Sequence, residues 1–201
     1  MVVGTVAVLA IIGALLSIFL REYRPTSQMD LMPYRALGEG VGQETLRLIG
    51  GAGKVVVLMW GNEQNRPPTV KAMLKSFEQA LKKNPAVTLT VEPYPATQPV
   101  PEPSPPIELI LDLKQKHSQA DVLVSFVGLP SMDNDYAQLP AKPKLVAVTT
   151  ERVESRALFD KGFVDMLIVW REDLAPATAP KPKTNREWFD QHYQVLTAPN
   201  R

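Results

Sequence analysis

Short apolar runs alternate with amphipathic segments through the middle of this chain. "KVVVLMW" (54–60) is a continuous apolar run of strand length, which is typical of a strand buried on both faces of a parallel sheet. The segment 67–84 has prolines at its start and places Met73 and Phe77 on one stripe, which indicates an amphipathic helix. This alternation of strand and helix, continued to residue 170, predicts an α/β domain with a doubly wound, mostly parallel sheet.

The same patterns divide the whole chain. Five strands are predicted, near residues 55–59, 87–92, 121–127, 144–149 and 163–170. Other helices are predicted at about 36–49, 107–119, 151–162 and 185–196. The expected domains are a transmembrane helix (1–20), a linker with a short helix (21–53), the α/β domain (54–172), and a proline-rich strap with a C-terminal docking helix (173–201).

The stretch "GGAGKVVVL" (50–58) superficially resembles a phosphate-binding loop. Such a loop follows a strand, opens a helix, and has Ser or Thr after its lysine to bind Mg²⁺. Here Lys54 is followed by Val55, and the glycines precede a strand. The glycines are therefore interpreted as the end of a helix and the turn into the first strand.

An apolar run at the N-terminus predicts a membrane anchor. Val2 to Leu20 contains no charged residue and would span about 28 Å as a helix, close to the thickness of a hydrocarbon core. No basic residue precedes the run, so a retained helix is favoured over a cleaved signal peptide. Small residues that would allow close packing with another membrane helix are Ala7, Ala10, Gly13, Ala14 and Ser17.

This anchor predicts a single-pass protein of a bacterial-type inner (cytoplasmic) membrane, in contact with the lipid bilayer. Arg21 and Arg24 follow the run, and their charge favours the cytoplasmic side for the domain over the periplasmic side. The bias rests on two arginines, so the side stays open.

Composition excludes several classes of function. The 201 residues carry a net charge of +1, with no basic stripe interleaved with aromatic residues, which argues against a nucleic-acid partner. The chain has no cysteine, and its histidines, His117 and His192, lack the spacing of metal ligands. No cofactor and no metal are expected.

The segment from Lys54 to Trp170 resembles one lobe of a type I periplasmic binding protein, or the related ligand-binding domain of sugar-responsive repressors. The pattern is carried by "VVVLMWGNEQNRPPTVKAMLKSFEQALKKNPAVTLTV", "ADVLVSFVG" and "KLVAVTT". Together with right-handed crossovers, the resemblance implies the strand order 2-1-3-4-5. Binding proteins of this kind enclose a solute between two lobes, whereas this sequence has the length of one.

The loops after the first and third strands are the candidate ligand site. In an open α/β sheet, ligands bind beyond the carboxyl ends of strands where the strand order reverses. The candidate ligand- or partner-binding residues are Trp60, Asn62, Glu63, Asn65, Arg66, Ser131, Asp133, Asn134 and Asp135. Ordinary solvated loops account for the same residues.

Known catalytic patterns are absent from these loops. Asp133 and Asp135 lack the glycine and glutamate of a calcium loop, and Ser131 has no neighbouring histidine or glycine-flanked elbow. Glu63 alone cannot form the acidic cluster of a phosphoreceiver domain. The chain is therefore not expected to be an enzyme.

Two hypotheses for function follow. The first is a non-catalytic, membrane-anchored accessory or scaffold subunit of a larger respiratory, photosynthetic, secretory or transport complex. It would contact other membrane subunits through its transmembrane helix and the proline-rich straps at 93–106 and 173–184. The alternative is a membrane-tethered solute-binding or sensory domain with a small-molecule ligand.

Overall fold

The computed structural model describes residues 29–95, 105–130, 142–149, 159, 162–171 and 181–197. Their helices and strands belong to a compact unit that begins at Leu31. In chain order the elements are α1 (Met32–Leu48), β1 (Gly53–Trp60), α2 (Pro68–Lys82), β2 (Val87–Tyr94), α3 (Ile107–Lys116), β3 (Val122–Ser125), β4 (Lys144–Thr149), β5 (Met166–Trp170), α4 (Asn185–His192) and β6 (Tyr193–Thr197).

Several predicted segments lie outside the described residues. They are the transmembrane segment Val2 to Leu20 with its small residues Ala7, Ala10, Gly13, Ala14 and Ser17, nearly all of the helix at 151–162, and most of both proline-rich straps. Within the described ranges, no helix is long and apolar enough to cross a membrane. The first strap also begins later than predicted, because Pro93 and Tyr94 complete β2.

The strands form one mixed sheet of six strands in the order β2-β1-β3-β4-β5-β6. Strands β1 to β5 run parallel to their neighbours, and β6 pairs with β5 in the antiparallel direction. The observed order therefore differs from the predicted five-stranded order by an additional strand at one edge.

The sixth strand corrects the prediction of a C-terminal helix over 185–196. The helix α4 ends at His192, and the chain continues as β6 along the outer edge of β5. Trp188, Phe189, His192 and Val195 fit a helical stripe, but pairing with β5 satisfies the backbone groups that an uncovered edge strand would leave unpaired. Tertiary pairing therefore outweighs the local helical pattern.

Helices cover both faces of the sheet. One core cluster contains Val41 of α1, Phe77 of α2 and Phe189 of α4, together with every second side chain of the central strands. The other cluster contains Ile110 of α3 and the alternate strand positions, such as Leu123. This is the doubly wound α/β arrangement, and all of β1 from Val55 to Met59 is buried in it.

Glycines allow α1 to pack very close to α2. A side chain at Gly38 would overlap the backbone carbonyl oxygen of Met73, and a Cβ at Gly42 would lie 2.7 Å from the Cβ of Ala80. Both contacts require a residue without a Cβ. The two helices thus approach with their backbones nearly in contact.

The glycines after α1 act as predicted from the sequence. Gly50 and Gly51 have φ values of 67° and 87°, and α1 ends at Leu48. The backbone N–H of Gly51 donates to the carbonyl oxygen of Leu46 at 2.8 Å. The stretch therefore ends a helix and leads into β1, as glycine commonly does at helix C-termini.

A buried ion-pair group joins α4 to α1. The carboxylate of Glu44 accepts hydrogen bonds from Arg47 at 2.7 and 2.8 Å and from Arg186 of α4 at 2.7 Å. Burial lowers the pKa of Arg186, but hydrogen bonds to Asp190 and Glu44 raise it above its ordinary value. Because Glu44 is only 5% exposed, these arginines supply the partners that a buried carboxylate requires.

A second ion-pair group joins α3 to the edge strand β2. One carboxylate oxygen of Glu92 lies 2.8 Å from Nζ of Lys116 and 2.7 Å from Nε2 of His117. Burial raises the pKa of Glu92, but the hydrogen bonds and charges of Lys116 and His117 lower it below its ordinary value of 4.5. The charged form of Glu92 is therefore favoured in the folded domain.

We expect Glu92→Gln to cost on the order of 1 kcal/mol at about pH 7, since Lys116 stays largely exposed to water. A carboxylate with a lowered pKa contributes stability above its unfolded pKa and loses it as the pH falls through its folded pKa. The difference in stability between the two proteins should therefore be present at about pH 7 and shrink as the pH falls through the lowered pKa of Glu92. Urea unfolding at a series of pH values measures the difference, and a gap that widens in acid would contradict the assignment.

Candidate functional site

The reversal of strand order lies between β1 and β3. From β1 the chain passes through α2, on one face, to β2, and from β2 it passes through α3, on the other face, to β3. The loops that leave the carboxyl ends of β1 and β3 flank this reversal, which is the position where open α/β sheets generally bind ligands. The described parts of these loops are 61–66 and 126–130.

Two aromatic residues occupy this edge at the ends of adjacent strands. Trp60 ends β1, Tyr94 ends β2, and the two are partners in the parallel register. Their ring centroids are 4.8 Å apart with the planes at 85°, an edge-to-face contact. Tyr94 is buried while Trp60 is half-buried, so Tyr94 supports an indole ring that keeps part of its surface open.

The loop after β1 is held in place by its own side chains. Oδ1 of Asn62 accepts from the backbone N–H groups of Gln64 and Asn65, both at 3.1 Å. Oδ1 of Asn65 accepts from the backbone N–H of Asn62 at 2.8 Å, and Nε of Arg66 donates to the carbonyl oxygen of Gly61 at 3.1 Å. Three of the residues predicted to bind a ligand, Asn62, Asn65 and Arg66, therefore also fix the conformation of their own loop.

The asparagines keep a second polar group for other partners. Each carboxamide uses its oxygen within the loop, and no described residue accepts a hydrogen bond from Nδ2 of Asn62 or Asn65. Both side chains are exposed, as is that of Glu63. The loop therefore presents amide donors and a carboxylate from a backbone that is already ordered.

The loop after β3 begins with a buried serine. Ser125 ends β3, and its hydroxyl donates to the carbonyl oxygen of Gly128 at 2.6 Å. Gly128 has a φ of 93°, a left-handed conformation that suits glycine. The predicted site residues Ser131, Asp133, Asn134 and Asp135 lie outside the described residues.

Sequence analysis overlooked a second aromatic group at the same edge. Trp170 ends β5 and makes an edge-to-face contact with Tyr193, with centroids 5.3 Å apart. Trp188 of α4 stacks on His192 at 3.9 Å, and its ring lies 6.0 Å from that of Trp170. An aromatic residue at the last position of a strand is the signal that identifies Tyr94 and Trp170 in the sequence.

No protein-family model matches the sequence, and no curated protein matches it significantly. Solved structures do share the fold. An ABC transporter solute-binding protein from Burkholderia graminis, solved with D-arabinose, is 11% identical, with a TM-score of 0.55, over 82% of this chain and 59% of that chain. A sugar-binding protein of a sugar ABC transporter from Bacillus halodurans is 11% identical, with a TM-score of 0.54, over 83% of this chain and 62% of that chain.

A fructose-binding periplasmic domain of a hybrid two-component system gives a similar result. It is 15% identical, with a TM-score of 0.55, over 82% of this chain and 56% of that chain. Similarity at such low identity shows the fold, which is that of a lobe of a periplasmic binding protein. The chain spans between 56% and 62% of the length of these three structures.

These comparisons correct two predictions. The interpretation as a scaffold subunit of a membrane complex is wrong, because the proteins that share the fold are named for binding solutes and sugars. The localisation as a single-pass inner-membrane protein is contradicted by the same structures, one of which is named as a periplasmic domain. Contacts with other membrane subunits likewise gain no support.

Proposed function

We propose that this domain binds a small, uncharged, polyhydroxylated solute of the sugar class at the carboxyl edge of its sheet, without converting it chemically. The observation that carries the proposal is the pair formed by Trp60 and Tyr94 beside the reversal of strand order. An aromatic surface with a few fixed polar groups is the usual composition of a site for a small ligand.

The aromatic and polar groups complement the two kinds of surface on a sugar. The C–H face of a pyranose or furanose ring is apolar and can pack against the open part of the Trp60 indole. The hydroxyl groups at the rim of the sugar can accept from Nδ2 of Asn62 and Asn65 and donate to the carboxylate of Glu63. The internally bonded loop lowers the entropy that binding would otherwise cost.

The solved structures support the same class of ligand. Those with this fold include proteins named for binding arabinose, fructose, and glucose and galactose. Since the chain spans little more than half the length of these proteins, the proposal concerns the part of a site that this edge can provide.

The proposal is tested by thermal denaturation with D-arabinose, D-fructose, D-glucose and D-galactose. A sugar present at about 100 times its dissociation constant should raise the melting temperature by about 5–10 °C. Trp60→Ala should weaken binding of that sugar about tenfold, because it removes the stacking surface. Titration calorimetry on the full chain measures the affinities.

Tyr34→Ala provides a matched control. Tyr34 is an aromatic residue of α1, 38% exposed, and α1 packs on the face of the sheet opposite to the core cluster that contains Trp60 and Tyr94. This variant should bind the sugar as the parent protein does. The proposal is wrong if none of the four sugars binds, or if Trp60→Ala and Tyr34→Ala affect binding equally.

A further inference from the structure

A cleft of about 600 Å³ lies between α1 and α2, on a helical surface of the domain. Its walls come from Leu31, Arg35 and Glu39 on one side and from a stripe of α2 on the other. Small residues of that stripe, Ala72 and Ala80, leave space between the larger side chains. The cleft is separate from the candidate sugar site, whose residues do not line it.

Positive charge predominates in this cleft. Arg35, Lys71, Lys75 and Lys83 line it, against the single carboxylate of Glu39. The whole chain has a net charge of only +1, so the cations are concentrated locally. A cleft with one sign of charge attracts a ligand of the opposite sign.

The carboxylate in the cleft already has partners, whereas most of the cations have no charged partner within the described part of the chain. Glu39 lies 3.5 Å from Nζ of Lys83 and accepts from Asn185 at 2.9 Å. Arg35, Lys71 and Lys75 are exposed and form no ion pair with a described residue. Three cations are therefore available to an incoming anion.

The lysines form a row and do not converge on one point. Lys71 and Lys75 are four residues apart on α2, which corresponds to about 6 Å along the axis. Lys83 follows at the end of the helix, about 18 Å from Lys71 along the same axis. A compact anion would contact one or two of these cations, whereas an extended anion can contact all of them.

We propose that this cleft is a docking surface for an acidic amphipathic helix of a partner protein. Glutamates four residues apart on a helix repeat at the same interval of about 6 Å, so their carboxylates can meet the lysines in register. Leu31 and Ala72, which are partly exposed, provide apolar contacts for the adjoining side chains of that helix. Among the described residues that line the cleft, none has an aromatic side chain on which a nucleic-acid base could stack.

The test uses a synthetic alanine-based peptide of about 20 residues with glutamate at every fourth position. Fluorescence anisotropy at about 50 mM salt should show binding that weakens as salt is added. A control peptide has the same composition, with its glutamates placed around all faces of the helix. It should bind about tenfold more weakly or worse, because fewer carboxylates can reach the cleft at once.

Two double variants distinguish an effect of the cleft lysines on peptide binding from an effect of the net charge of the protein. Lys71→Glu with Lys75→Glu should weaken peptide binding about tenfold or more. Lys54→Glu with Lys144→Glu changes net charge equally at two exposed positions on strands, and it should bind as the parent does. Lys71→Ala with Lys75→Ala, which should also weaken binding, replaces the first variant if circular dichroism shows that the first is unfolded.

Three results would overturn the proposal. One is failure of the peptide to bind the parent protein. Another is equal loss of binding in the cleft variant and the control variant. The third is tighter binding of inorganic polyphosphate or an oligonucleotide than of a peptide with the same charge. Sugar binding is measured in parallel, and its presence or absence leaves this test unaffected, since the two sites share no residue.

Discussion

Replacing Gly38 with valine is expected to lower the free energy of unfolding by about 3 kcal/mol or more. Any Cβ at this position overlaps the carbonyl oxygen of Met73 in α2. Since the overlapped atom belongs to a helix backbone, a change of side-chain rotamer cannot relieve the clash. The helices must separate, and side chains packed around them, such as Phe77, lose contacts. Urea denaturation followed by circular dichroism measures the loss.

Gly50→Ala is the matched control for this prediction. Gly50 has a φ of 67°, and a Cβ there would meet no atom within 4 Å. The variant should therefore lose only about 1 kcal/mol, from left-handed backbone strain. If Gly38→Val cost no more than Gly50→Ala, the close packing of α1 on α2 would be disproved.

The parallel strands could be predicted because burial on both faces leaves a simple signal. Val55 to Met59 form an uninterrupted apolar run, and the structure buries every one of these side chains. The last strand gave no such signal. Residues 193–197 are only partly buried, and their place in the sheet depends on the free edge of β5, which local sequence does not reveal.

The role of α1 could not be predicted from helical pattern alone. Glycine lowers helix propensity by about 1 kcal/mol per residue, so three glycines within five positions weaken the helical signal. The reason for these glycines is seen only in the folded domain, because α2 and Phe189 pack where a Cβ would otherwise lie. The stability of a helix that depends on packing against neighbouring elements is therefore underestimated when its own sequence is considered alone.

The position of Trp60 at the end of β1 could be predicted, since it depends only on where the apolar run ends. That the loop after it binds a ligand stays a prediction. The sequence pattern left Tyr94 between the second strand and the proline-rich strap, and in the structure it completes β2 and supports the Trp60 ring. The bonds that turn the oxygens of Asn62 and Asn65 into the loop depend on local backbone geometry, which residue type does not specify.

Replacing Phe189 with alanine is expected to cost about 3–5 kcal/mol. Phe189 is completely buried, its ring lies against Gly40, and it stacks on Tyr193 with centroids 5.3 Å apart. The guanidinium of Arg186, 5.3 Å from the ring centroid, adds a cation–π contact. Removing the ring leaves a cavity between α1, α4 and the sheet, and thermal and urea unfolding should both report it.

A double-mutant cycle tests whether Gly40 and Phe189 act as a pair. Gly40→Ala alone should destabilise the domain by about 1–3 kcal/mol, since its methyl group overlaps the Phe189 ring. In the Phe189→Ala background the clash is gone and alanine is the better helix former, so the same change should be neutral or stabilising by up to about 1 kcal/mol. The pair Gly40→Ala and Ile110→Ala is the control, because Ile110 belongs to the core cluster on the opposite face of the sheet and the costs should add within about 0.5 kcal/mol. Additive costs for Gly40 and Phe189 as well would show that the ring does not lie against the glycine, and the contacts of α4 with α1 would then be polar ones, from Arg186 to Glu44 and Gln43 and from Asn185 to Glu39.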